Sequence, residues 1–141
     1  MAWQQSSAFA EEVPFLTEPV AVPLNIAIVD DERELTKLLV MVLNASGRFN
    51  VVATATSGAE ALNIVEDRNV DALLVDLCLP GLNGIMVLER LRETAPGLPV
   101  VIMSGFPIVD VYSRGARGYL EKHGDLEDFP TKLFNLLVSA G

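Results

Sequence analysis

The sequence predicts a doubly wound α/β fold, a five-stranded parallel sheet with helices on both faces. Three observations predict it. Five short apolar runs, near residues 25–29, 51–55, 72–75, 99–103 and 118–121, alternate with segments of helical spacing. The run Ala72-Leu73-Leu74-Val75 is apolar throughout, the pattern of a strand covered on both faces. Four of the five runs end on polar groups: Asp30-Asp31, Asp76, Ser104 and Lys122. In open α/β sheets such C-terminal strand ends lie side by side and carry the site.

The elements follow in order. Residues 1–23 mix Gln, Ser and Glu with three prolines and hold no sustained period, which predicts a flexible arm before a domain at 24–141. Asn25–Val29 reads as the first strand, closed by Asp30-Asp31. From Glu32 to Asn44, Leu35, Leu38, Leu39, Val42 and Leu43 mark one helical face, and Gly47 ends it. Val51–Ala55 is the second strand, and Ser57-Gly58-Ala59-Glu60 has capping-box spacing for a helix to about Glu66.

The third strand ends in Asp76. Gly84 to Thr94 is helical, with Ile85, Leu88 and Leu91 on one side. Pro99–Met103 is the fourth strand, and Ile108 to Gly115 leaves room for a short helix only. Gly118–Glu121 is the fifth strand. Leu126, Phe129, Leu133, Leu136 and Leu137 hold a helical phase to the end; Asp125 is a plausible N-cap, with Pro130 then late in the first turns or itself starting the helix proper.

Composition narrows the function. One domain of 141 residues, half of them hydrophobic, can bury a substantial core. A net charge of −9 disfavours direct nucleic-acid binding. Cys78 and His123 are the sole cysteine and histidine, which excludes an internal disulfide, a Cys-based zinc cluster and any two-histidine mechanism. No apolar run approaches a membrane span, and no signal-peptide pattern opens the chain, so a cytoplasmic protein is expected.

The strand ends suggest phosphoryl chemistry. Carboxylates about 4 Å apart repel by roughly 4 kcal/mol at an effective dielectric near 20. A hard divalent cation relieves that repulsion, and carboxylate, carbonyl and water ligands suit Mg²⁺. With Lys122 and Ser104 alongside, one carboxylate could attack phosphorus while cations neutralise the phosphoryl oxygens. No Gly-rich phosphate loop points to a nucleotide instead. An aspartyl phosphatase would need an Asp-x-Asp spacing, and Asp76 is followed by Leu77 and Cys78.

From about Leu24 to Ala140 the chain resembles the response-regulator receiver domain of two-component signalling, the CheY-like, flavodoxin-like phosphoacceptor module. Four separated motifs carry the resemblance: Ile28-Val29-Asp30-Asp31-Glu32, Val75-Asp76-Leu77-Cys78-Leu79-Pro80-Gly81-Leu82-Asn83-Gly84, Met103-Ser104-Gly105, and Gly115-Ala116-Arg117-Gly118-Tyr119-Leu120-Glu121-Lys122. It implies that Asp76 accepts the phosphoryl group and that Asp31 and Asp30 hold Mg²⁺ with Asp76 and the Cys78 backbone carbonyl. It further implies that Lys122 contacts the phosphoryl group, and that Ser104 and Tyr119 are the switch hydroxyl and switch aromatic. For Tyr119, core packing is the alternative; for Cys78, a small packing residue is favoured over a redox role.

The resemblance also implies a donor on a histidine kinase or phosphotransfer protein, and no turnover enzyme. The expected function is a stand-alone response regulator, monomeric or weakly dimeric, that changes its affinity for a protein partner. An intermediate carrier in a phosphorelay and a phosphorylation-independent interaction module are the alternatives. Because the sequence ends at Gly141, no attached output domain is expected.

Two departures from the family pattern stand out. His123 follows Lys122 where the family usually has proline. Ser104 and Lys122 are eighteen positions apart, fewer than usual, which predicts a shortened fourth helix and an unusual partner surface at Phe106, Ile108, Val109 and Tyr112.

Overall fold

The computed structural model describes residues 23–67, 69–105 and 114–139. The expected arm and the expected short fourth helix with its partner surface (106–113) lie outside the described residues. The elements are β1 (Leu24–Val29), α1 (Arg33–Ala45), β2 (Phe49–Ala55), α2 (Gly58–Asp67), β3 (Ala72–Asp76), α3 (Gly84–Thr94), β4 (Val100–Ser104), β5 (Gly118–Glu121) and α4 (Phe129–Val138). All strand pairs are parallel, in the order β2-β1-β3-β4-β5. The chain therefore has the doubly wound, flavodoxin-like fold that the alternating pattern predicts.

Each strand divides its side chains between two cores, as a period of two requires. Ala27, Val29, Leu73, Val75 and Ile102 pack with Ala61 of α2 and Val87, Leu88 and Leu91 of α3. Ile26, Ile28, Leu74, Val101 and Met103 pack with Leu39 and Leu43 of α1 and Phe129, Leu133 and Leu137 of α4. Every residue of β3 and β4 is buried, so the two central strands carry their last residues, Asp76 and Ser104, into the interior.

Local chemistry sets the helix ends. Gly47, at φ 78°, turns the chain just past α1, as expected of a helix-ending glycine. Ser57 Oγ accepts from Glu60 N (3.2 Å), so the expected cap on α2 forms. Its reciprocal half is displaced by one residue, because Glu60 Oε1 accepts from Thr56 N (2.7 Å). The expected N-cap Asp125 is corrected: α4 starts at Phe129 with Asp128 before it, and Asp125 Oδ1 accepts from Glu127 N in the preceding turn. Pro130 explains the later start, since its missing N–H has no intrahelical partner in a first turn.

On α1 the buried stripe is rotated from the leucine pattern. Thr36, Leu39 and Leu43 are buried, whereas Leu38 is 48% exposed. Thr36 tolerates burial because its hydroxyl donates to Glu32 O (3.1 Å). Hydroxyl burial of this kind leaves no apolar signal in the sequence.

Gly84 fixes the distance between α3 and the end of β3. A Cβ there would stand 2.6 Å from Asp76 O and 3.0 Å from Leu77 Cα. Gly84→Ala is expected to cost about 1–3 kcal/mol, the usual range for overpacking against backbone that cannot yield. A urea midpoint equal to that of the wild type would contradict this close approach.

Candidate phosphoryl-transfer site

The site lies where β1, β3, β4 and β5 end. Asp30 follows β1 and is fully buried; Asp76 ends β3 at 2% exposure; Ser104 ends β4 at 1%. Lys122 directly follows β5 and is 6% exposed. Its backbone N donates to Ser104 O (2.8 Å), which extends the β4–β5 ladder by one rung. From that rung the lysine stem crosses to the central strands, burying its methylenes while its ammonium reaches the acids.

The ammonium joins the carboxylates. Lys122 Nζ donates to Asp76 Oδ2 (2.6 Å) and lies 3.1 Å from Asp30 Oδ1. Backbone donors add to this: Cys78 N donates to the other Asp76 oxygen, Oδ1 (3.2 Å), and Glu32 N to the same Asp30 Oδ1 (2.8 Å) that faces the ammonium. Asp76 is thereby fixed through both oxygens, and Asp30 through one.

Asp30 Oδ2 is different. It is buried with no hydrogen-bond partner among the described residues, an arrangement that costs free energy unless something else serves it. Asp30, Asp31 and Asp76 each offer an oxygen, all within 4.8 Å of one another, with Asp31 exposed at the mouth. A buried acceptor lacking a donor, beside two more carboxylates, is a donor set that fits a hard divalent cation.

The electrostatics agree. Burial, with the nearby Asp76 charge, pushes the Asp30 carboxyl up to about 6 against the lowering effects of Glu32 N–H and Lys122. Burial alone would lower the Lys122 ammonium, but its bonds to Asp76 and Asp30 outweigh that and leave it raised. Lys122 therefore stays charged while Asp30 carries the strain of the cluster.

Of the sequence-predicted residues, the fold brings Asp30, Asp31, Asp76 and Lys122 together and places Ser104 on the adjoining strand end. Cys78 is exposed, with its N–H on Asp76. Tyr119 stands in register with Ile102 and is half-buried against the core beneath α2 and α3. Sequence reasoning assigned no individual role to Glu32, whose carboxylate lies 3.7 Å from Lys122 Nζ. Its place directly after Asp30-Asp31 was the available signal.

The response regulator receiver domain family model matches residues 26–134. The chain belongs to that family. The match takes in β1 from Ile26 onward, the other four strands whole and every site residue named above, so this is a receiver domain of two-component signalling with a CheY-like fold. The chain is 31% identical over 110 residues to the nitrate/nitrite response regulator protein NarL of Escherichia coli K12, covering 75% of this chain and 51% of the relative. It is 30% identical over 123 residues to the probable transcriptional regulatory protein TcrX of Mycobacterium tuberculosis, covering 84% and 52%. The chain thus spans about half the length of these curated relatives.

Among solved structures, the signal receiver domain of NarL from Mycobacterium tuberculosis superposes with a TM-score of 0.78 at 23% identity, over 85% of this chain and 100% of that one. A CheY-like receiver domain protein from Methanospirillum hungatei gives 0.72 at 23%, over 82% and 94%. Both show the same fold. Receiver domains are phosphoacceptors that interact with histidine kinases or phosphotransfer proteins and are generally not turnover enzymes. Among the described residues, no helix is long and apolar enough to cross a membrane.

Proposed function

We propose that this receiver domain takes a phosphoryl group onto Asp76 from a phosphohistidine on a kinase or phosphotransfer protein, and that the phosphorylated form changes its affinity for a protein partner in the cytoplasm. The observation that carries the reading is Lys122 Nζ, held 2.6 Å from Asp76 and 3.1 Å from Asp30 in a buried cluster with one carboxylate oxygen that no described residue serves. A phosphorylation-independent module would gain nothing from burying three interacting charged groups, whose desolvation is costly.

The residues divide the chemistry. One Asp76 oxygen attacks phosphorus as the bond from phosphorus to the donor nitrogen breaks, and the histidine leaves with that electron pair and takes a proton. The backbone N–H of Cys78 and the Lys122 ammonium hold the nucleophile in place before the attack, so little orientation is lost on reaching the transition state. Lys122 then faces the negative charge gathering on the phosphoryl oxygens, and the Ser104 hydroxyl contributes a donor on the neighbouring strand end. Asp30, Asp31, Asp76 and the Cys78 carbonyl would hold Mg²⁺, which when bound neutralises phosphoryl charge. Ser104 and Tyr119 are the proposed switch pair.

Incubation with acetyl phosphate and Mg²⁺ tests the reading without a cognate kinase. Intact-mass measurement is expected to show one added phosphoryl group, and none when Mg²⁺ is chelated. Asp31→Ala should raise the Mg²⁺ concentration needed by more than ten-fold while leaving the thermal midpoint near that of the wild type, since Asp31 is exposed and its removal relieves repulsion. Unchanged Mg²⁺ dependence in Asp31→Ala would remove that residue from the metal set.

A further inference from the structure

Lys122 must span the ends of β4 and β3 to reach the acids, yet the turn that launches it contains His123 and Gly124, neither of which is stiff. Glu32 is the N-cap residue of α1, but its side chain makes no capping bond to that helix. It reaches across the site mouth instead. Its Oε2 lies 3.7 Å from Lys122 Nζ and its Oε1 lies 3.9 Å from His123 Nε2.

The histidine ring stands on the open side of Gly105, the residue after Ser104: a Cβ built there would be 3.7 Å from His123 Cδ2. One carboxylate thus faces both the lysine and the imidazole, and links the β1–α1 turn to the β5–α4 turn. We infer that Glu32 and His123 are positioning residues that together aim Lys122 at Asp76, replacing the stiffness of the residue type more usual after this lysine. The inference rests on the phosphoryl-transfer reading for its consequence, though not for its geometry.

Energetics separate aiming from folding. The side chains of His123 and Glu32 are 62% and 47% exposed, and contacts between such groups contribute little to stability. Their effect falls on where Lys122 Nζ sits, so stability should hardly change when they are cut while transfer slows.

Two readouts test this on the full chain. The first is independent of phosphorylation: the rate at which an amine-acylating reagent modifies Lys122, followed by peptide mass spectrometry. His123→Ala and Glu32→Ala should each raise that rate several-fold. Modification of exposed Lys37 should not change. The second readout is phosphorylation by acetyl phosphate at saturating Mg²⁺. Each single variant should slow it about three- to ten-fold with an unchanged Mg²⁺ midpoint, and His123→Gln, which keeps a polar group of similar reach, should stay within about two-fold of the wild type.

The double variant Glu32→Ala/His123→Ala should be no slower than the worse single variant, because both act through one contact. Wild-type acylation rates in both alanine variants would overturn the inference, as would single effects that multiply. Raised acylation without any phosphorylation of the wild type would support the positioning while sinking the reading of function.

Discussion

Replacing Lys122 by alanine is expected to slow phosphorylation of Asp76 by at least about 100-fold, the effect of removing one preorganised donor from developing negative charge. The same change should destabilise the metal-free protein. Lys122 is the cation that both Asp30 and Asp76 contact, and both acids are buried. Removing one partner from a buried charged group leaves the other uncompensated. The loss should be about 3 kcal/mol, the lower end for such a rupture, because Asp31 leaves the mouth of the site open to water. Saturating Mg²⁺ should restore much of the stability, since a bound cation would compensate the acids, and little of the rate, since it would not replace the ammonium's hydrogen-bond donors. Chemical denaturation with and without Mg²⁺ checks the first half, and single-turnover labelling the second. A variant as stable as the wild type without metal would mean that the three charges do not share one environment.

Asp30→Asn has the opposite sign for stability. Asp30 is raised to about 6 in the folded protein from an ordinary 3.8, so folding binds a proton more tightly between those values. Where the folded state holds more protons than the unfolded one, stability falls as pH rises. The wild-type apo protein should therefore lose stability from about pH 4 to pH 6 through this group, and then level off. Asparagine removes that loss. The variant should be more stable than the wild type above pH 6, by at most about 3 kcal/mol if the whole shift counts, while near pH 4 the two should converge. With Mg²⁺ the order should reverse, because only the wild type gains binding energy, and phosphorylation should fall by about two orders of magnitude in the variant. Melting curves across pH, with and without metal, decide it; a variant less stable than the wild type at pH 7 without Mg²⁺ would show that Asp30 is not strained.

These opposed signs follow from placement, and most of that placement was legible in the chain. The alternation of apolar runs and helical segments was enough for five parallel strands, because a strand such as Ala72–Asp76 that is buried on both faces has no room for polar residues until its end. Asp30, Asp76 and Lys122 were identifiable because they interrupt apolar runs at positions where a sheet of this kind gathers them. What escaped was side-chain reach. Nothing in the spacing shows that Thr36 turns inward and Leu38 outward, since a hydroxyl bonded to the preceding turn can replace an apolar group. Of the two starts open for α4, the one at Pro130 lies within one residue of the observed Phe129, while Asp125 stands three residues before the observed N-cap position, Asp128. Glu32 and His123 were readable as residues but not as neighbours: they are 91 positions apart, and only the closure of β5 onto β4 brings their turns together.

The central claim is that Asp76, among the carboxylates of this cluster, is the one that takes the phosphoryl group. The most direct measurement is reduction of the acetyl-phosphate-treated, Mg²⁺-loaded protein with borohydride, which converts an aspartyl phosphate into homoserine, followed by peptide sequencing. Homoserine at position 76 alone, and no conversion anywhere in Asp76→Ala, is the predicted result. Conversion at position 30 or 31 in the wild type, or labelling that persists in Asp76→Ala, would contradict it.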